Sequence, residues 1–231
     1  MSKASTNQPI LLGLETSGLS SLVAVSHGEQ VVGHMTLNIR NIHSRLLAPM
    51  VHQLLKYVNI SLSQINGICL SAGPGSFTGL RIGYSLAKGL AHSLNLPVVE
   101  VPTLDVWAYQ HGTTRRPVLS LINAHRGEVF LRIYRWDKHT LLPLDEPRVL
   151  AISQLKELLT EPTEIVGGDL QQLREAVQEA AGDRAIIQHP LQTEPSAAAL
   201  MALGFHLFQN QQFCDVSSCE PMYLRAFRGV M

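Results

Sequence analysis

A meander of three short strands, followed by alternating helices and strands, occurs twice along this 231-residue chain, and few architectures accept that order. In the first half, strand-like apolar runs cover Pro9–Thr16, Leu19–Ser26 and Val31–Leu37, separated by Gly-containing turns. His43–Val58 then places Leu46, Leu47, Met50, Val51, Leu54, Leu55 and Val58 at helical spacing. Asn66–Ser71 reads as a strand, Gly73–Gly79 as a glycine-rich loop, Leu80–Leu94 as a helix and Pro97–Val101 as a strand. Thr103 stands where the N-cap of a further helix belongs. The second half repeats the order less cleanly. Pro117–Ile122, Glu128–Trp136 and a weaker stretch over Leu141–Leu150 read as strands, and Ile152–Leu159 as a helix. Ile165–Val166 is a strand, Asp169 caps a helix over Leu170–Ala181, Ala185–Gln188 is a strand and Ser196–Phe208 a helix. Gln209–Ser218 reads as a polar linker.

Strands alternating with helices predict α/β layering. The order βββαβαβα, read twice, predicts a duplicated ribonuclease-H-like fold, the pattern of the actin-like (ASKHA) ATPases. The two subdomains are residues 1–105 and 106–231, joined near Val101–Gln110.

Charge is distributed unevenly. Charged residues make up 16% of the chain, against about 25% in an average soluble domain. The first 105 positions hold six basic and four acidic side chains, out of 18 of each. A half so poor in charge must be buried or covered. Zero net charge excludes recruitment to nucleic acid or membrane by a long-range field. Arg115, Arg116, Arg126, Arg132 and Arg135 make at most a local basic patch, since the second half is slightly acidic overall. The polar start, Met1–Pro9, has no apolar core of signal-peptide type, and no run reaches the ~18 apolar residues of a membrane span. A cytoplasmic chain is expected. Cys69, Cys214 and Cys219 lack CxxC spacing and read as free thiols. None of the ten histidines pairs with another at four residues, so no metal site is read.

The motifs carry little chemistry by themselves. Gly73–Gly79 is not a phosphate-binding P-loop, because no Lys-Ser/Thr follows its last glycine. Glu15-Thr16-Ser17-Gly18 ends the first strand with a single carboxylate. The matching turn of the second half, Asn123–Gly127, has none. Phosphoryl transfer needs metal-holding oxygens and a phosphate cradle, and both are thin here. Gly79, Gly83, Ala87 and Ala91 form a ridge of small residues that suits close approach of a partner helix or close packing on the chain's own sheet, and Leu80, Leu86, Leu90 and Leu94 give the helix a second apolar face, so one face can serve the core and the other a partner.

Ile10–Ser17 (ILLGLETS), Asn41–Pro49 (NIHSRLLAP), Ser71–Gly89 (SAGPGSFTGLRIGYSLAKG) with Leu96-Pro97, Asn123–Phe130 (NAHRGEVF) and Pro221–Arg225 (PMYLR) resemble the TsaB family. That family is the non-catalytic scaffold of the bacterial tRNA threonylcarbamoyladenosine machinery. The similarity runs along almost the whole chain, is most specific over Gly73–Gly83, and is weakest over Asp137–Glu164. The catalytic relative, TsaD, shares the ETS and GPG motifs but is longer. Its metal-binding HxxxH positions fall on Thr103 and Trp107 here. Asn123 stands where the TsaB pattern often has Asp.

The resemblance implies a subunit without catalytic or metal-binding residues. It implies a vestigial nucleotide-binding set, Glu15, Thr16, Ser17, Gly73 and Gly75, with no intrinsic cofactor and ATP or ADP only at the level of a complex. It further implies a heterodimer with TsaD, formed through helices His43–Val58 and Leu80–Leu94. The expected contacts are His43, Leu47, Met50, Val51, Leu54, Arg81, Gly83, Ala87 and Ala91, and Gly83→Leu is expected to abolish binding in a folded monomer. With the ATPase TsaE, such a complex moves a threonylcarbamoyl group from its adenylate onto the adenosine beside certain anticodons. tRNA is then reached through the complex, and the same face forms homodimers when TsaD is absent. The alternatives are an enzyme of the same fold (a small ATP-dependent phosphotransferase or a metal-dependent peptidase) and a direct tRNA-binding module.

Overall fold

The computed structural model describes residues 8–39, 43–189 and 194–224. The polar start over 1–7, the first two residues of the NIHSRLLAP motif and Arg225 lie outside them. The first half contains β1 (Ile10–Glu15), β2 (Ser21–His27), β3 (Gln30–Leu37), α1 (His43–Tyr57), β4 (Gly67–Gly73), α2 (Phe77–Leu94), β5 (Val98–Pro102) and α3 (Thr103–His111). The second contains β6 (Val118–His125), β7 (Glu128–Asp137), β8 (Thr140–Pro143), β9 (Arg148–Ala151), α4 (Leu155–Leu158), β10 (Thr163–Gly167), α5 (Leu170–Ala181), β11 (Ala185–Ile187) and α6 (Ala197–Gln209).

The two sheets have one topology. The first runs β3-β2-β1-β4-β5 and the second β8-β7-β6-β10-β11, with β9 also paired to β7. In each, the meander is antiparallel, while the later strands join in parallel through helical crossovers. β4 is buried along its whole length because helices cover both faces, which is why its sequence, GICLSAG, shows no polar alternation. β3, at the edge, alternates exposed and half-buried side chains.

The helices are shared between the halves. α1 and α2 cover one face of the first sheet, where Leu47, Leu54, Tyr84 and Ala87 meet Leu12, Leu14, Val23 and Leu70. The opposite face is closed by α6 from the second half, with Leu200, Met201 and Phe205 against Leu11, Leu22 and Val99. α3 in turn carries Leu104, Trp107 and Ala108 onto Val118, Ile122 and Val166 of the second sheet. α4 and α5 fill its other face. Asp105 of α3 accepts from the Tyr134 hydroxyl at 2.6 Å and pairs with Arg132 at 3.4 Å, which ties the connecting helix to β7.

Four local readings need correction. α2 begins three residues early, at Phe77, because Ser76 caps it by accepting from the Gly79 amide at 3.2 Å. Thr103 lies inside α3, and its hydroxyl accepts from the Gly73 amide at 3.1 Å. The stretch Leu141–Leu150 is two strands. Between them Asp145 takes the Ile133 amide at 2.9 Å on its side chain and the Arg132 Nε at 2.8 Å on its carbonyl, which pulls the backbone off the ladder. The tail is not a free linker: Cys214 donates its amide to Val98 and Met222 donates to Ala72, at 2.9 and 2.8 Å.

Candidate functional site

The loop Gly73–Gly79 lies directly on the turn that ends β1. A Cβ at Gly75 would sit 2.3 Å from the Ser17 carbonyl oxygen, and one at Gly79 only 2.1 Å from that of Thr16. Only glycine permits this approach. The Ser76 amide donates to the Ser17 carbonyl at 2.7 Å, and the Ser17 amide donates to Glu15 Oε1 at 2.5 Å. Thus Glu15, Thr16, Ser17, Gly73 and Gly75 are brought together, and the amides of Ser17, Gly73, Ser76 and Gly79 are already taken by partners within the chain.

Glu15 is fully buried, and its Oε2 has no hydrogen-bond partner. Burial is the largest influence on this carboxyl and raises its pKa above the ordinary 4.5. The folded chain therefore holds this proton more tightly than the unfolded chain does. The associated stability is complete below the ordinary value and is lost as pH rises through the raised one. Glu15→Gln is expected to stabilise the protein at neutral pH and to flatten the fall in stability as pH rises from the ordinary carboxylate range to neutrality. Urea denaturation across that range reads both effects. A variant less stable than the parent at neutral pH would show that the charged carboxylate is structurally required.

The metal-binding positions of the catalytic relative are filled by core. Thr103 is fully buried and bonded to Gly73, and Trp107 is buried under the second sheet. The arginine patch of the second half is largely neutralised. Arg116 pairs with Glu164 at 2.8 Å and Arg135 with Glu161 at 2.7 Å, while Arg132 is held by Asp105 and Asp145.

The expected partner contacts divide sharply. Leu47, Met50, Val51 and Leu54 are each at most 4% exposed and pack on the chain's own sheet. Gly83, Ala87 and Ala91 also face inward, and a Cβ on Gly83 would lie 2.5 Å from Thr16 Oγ1. The ridge of small residues seats α2 on the sheet rather than on a partner. His43 is buried too, with Nδ1 2.6 Å from the Ser21 hydroxyl, and burial lowers its pKa. Of the nine residues, Arg81 alone is exposed. A periodic stripe does not reveal which of its rows faces the sheet.

The outward rows of α1 and α2 instead form a groove of about 630 Å³, lined by Ser44, Leu47, Ala48, Phe77, Thr78, Arg81, Ile82, Ser85 and Leu86. Leu47, Ala48, Phe77, Ile82 and Leu86 give it a largely apolar lining with three hydroxyls, and Arg81 is the one charged side chain among its described lining residues. The Arg81 guanidinium lies 3.8 Å from the centre of the Phe77 ring, and its Nε donates to the Tyr223 hydroxyl at 3.1 Å. Phe77 and Tyr223 rings stand 5.3 Å apart. The tail thereby braces two of the lining residues. Leu86 belongs to the second apolar face of this helix, whereas Phe77, Ile82 and Ser85 escaped sequence reasoning; Ile82 and Leu86 stand one position from the ridge, Phe77 and Ser85 two.

Residues 30–211 match the family model described as TsaD: tRNA N6-adenosine threonylcarbamoyltransferase. The relative named tRNA threonylcarbamoyladenosine biosynthesis protein TsaB in Escherichia coli is 31% identical over 230 residues, covering 93% of this chain and 94% of that one. The chain belongs to the TsaB family. The protein of that name in Bacillus subtilis is 27% identical, with 93% of each chain covered. The solved structure "YeaZ from Pseudomonas aeruginosa" superposes with a TM-score of 0.79 at 25% identity, covering 94% of this chain and all of the other. The duplicated fold is therefore shared over 94% of this chain. No helix among the described residues is long and apolar enough to cross a membrane.

Proposed function

We propose that this chain acts in tRNA threonylcarbamoyladenosine biosynthesis as the non-catalytic subunit that binds TsaD. The observation that carries the reading is the α1–α2 groove, an apolar surface with one cation on the half of the chain poorest in charge. Interfaces are depleted of charge at their centres and enriched in aromatic side chains and arginine. The closed Glu15 turn and the core positions of Thr103 and Trp107 support a subunit that lends shape rather than chemistry. ATP or ADP, TsaE and tRNA belong to the assembled cytoplasmic complex in this reading. Alone, two copies cover the groove with each other, because an uncovered apolar face seeks any cover.

Calorimetric titration of the chain into TsaD from its own organism tests this. The expected result is a one-to-one heterodimer, with any homodimer dissolving as TsaD is added. No heat and no co-elution would overturn the proposed partner. Turnover of magnesium-ATP by the isolated chain would overturn the non-catalytic assignment.

A further inference from the structure

We infer that Glu100, Cys214 and Cys219 form a binding site for Zn²⁺. Their carboxylate oxygen and two sulfur atoms all lie within 4.8 Å of one another. Sequence spacing alone hides this, since the cysteines are five apart and Glu100 is more than a hundred residues away. The fold assembles them in two steps. The Cys214 amide donates to the Val98 carbonyl at 2.9 Å, which lays the tail along the edge strand β5 beside Glu100. A single turn then reverses the chain. The Asp215 side chain takes the Ser217 amide at 3.0 Å and the Ser218 hydroxyl at 2.9 Å, while its carbonyl takes the Cys219 amide at 2.8 Å. That turn brings Cys219 back over Cys214. All three cysteines of the chain are free thiols.

The donor set selects the ion. Two thiolates and one carboxylate suit Zn²⁺, whereas Ca²⁺ and Mg²⁺ demand oxygen donors throughout. Tetrahedral zinc holds sulfur at about 2.3 Å and oxygen at about 2.0–2.2 Å, so its ligands stand roughly 3.3–3.8 Å apart. A contraction of about 1 Å closes the cluster, and a water completes the four. Binding releases the two thiol protons to solvent. The carboxylate is already oriented, because the buried Tyr84 hydroxyl donates to Glu100 from α2. That contact is the outer-shell support that a ligating carboxylate ordinarily has. Cys69 takes no part: it faces α6 on the other side of the sheet. A bound ion would staple the tail to β5 a few residues before Met222, which bonds to β4, and Tyr223, which reaches α2.

The test uses the full chain, reduced and metal-free, titrated with Co²⁺ alone. One equivalent is expected to raise the thiolate-to-cobalt charge-transfer absorption, and Zn²⁺ is expected to bleach it one for one. Cys214→Ser and Cys219→Ser should each halve the band and weaken binding roughly 100-fold, whereas Tyr84→Phe should weaken it roughly 10-fold. Cys69→Ala should leave it unchanged. A readout that needs no variant is alkylation by iodoacetamide, located by mass: Zn²⁺ is expected to shield Cys214 and Cys219 together. A missing charge-transfer band, a band of undiminished intensity in both serine variants, or alkylation indifferent to Zn²⁺ would each overturn the site.

Discussion

Gly83→Leu is expected to destabilise the fold strongly. The first added carbon would already stand 2.5 Å from Thr16 Oγ1 and 3.3 Å from the Leu70 side chain. Leu70 is fully buried at the centre of the first sheet and cannot move aside. The three further carbons of leucine enter the same space. Overpacking of a well-filled core costs about 1–3 kcal/mol, and the upper end or beyond is expected here. At this chain length that lowers the melting temperature by about 6–12 °C. Gly83→Ala separates the two components. Its single carbon meets the Thr16 hydroxyl, which has no hydrogen bond to lose, and only the tip of Leu70, while the helix gains up to about 1 kcal/mol from losing a glycine. Gly83→Ala should therefore be close to neutral. At Gly79 the obstacle is a backbone carbonyl that cannot rotate away, so Gly79→Ala should cost more than Gly83→Ala. Urea denaturation of the three variants orders them. A wild-type midpoint for Gly83→Leu would mean that α2 does not rest on β1 and β4 as described. The same geometry removes Gly83→Leu as a probe of partner binding, because its loss of affinity would report unfolding.

The fold was legible because its signals are local and occur twice. Polar turns bound the meander strands, helical spacing marks α1, α2 and α5, and the identical strand order of the two sheets follows from the repeated pattern. The exchange of helices was not legible. α3 and α6 are apolar around most of their circumference, so their periodicity names no single sheet; α6 reaches back across the whole chain to close the first one. The candidate site was half legible. The groove lies on the two helices that the sequence singles out, but sequence reasoning assigns the apolar stripe of each outward and the structure turns it inward. Leu54 and Ala87 are core by burial, whereas Ser85 and Ile82, on the same helix as Ala87, line the groove. The cluster of Glu100 with Cys214 and Cys219 depends on a backbone bond between the tail and β5, which no spacing rule encodes.

That inversion decides how the groove must be tested. Ser85 is exposed on α2, with its hydroxyl bonded only back to the Arg81 carbonyl at 2.8 Å, and Ala48 is exposed on α1 across the groove. Neither holds the fold together, and surface substitutions of this kind stay within about 0.5 kcal/mol in stability. Arginine at either position fills the groove and adds a second cation beside Arg81. A partner that seats apolar side chains there must then desolvate an unpaired charge, a penalty of hot-spot size. Ser85→Arg and Ala48→Arg are each expected to weaken TsaD binding by about 100-fold, or about 2.7 kcal/mol, with melting temperature unchanged. Gln171→Arg, exposed on α5 of the second sheet, adds the same charge far from the groove and should bind like the parent. Equal losses from all three would mark a net-charge effect. Full affinity in Ser85→Arg and Ala48→Arg would move the partner surface off α1 and α2 altogether.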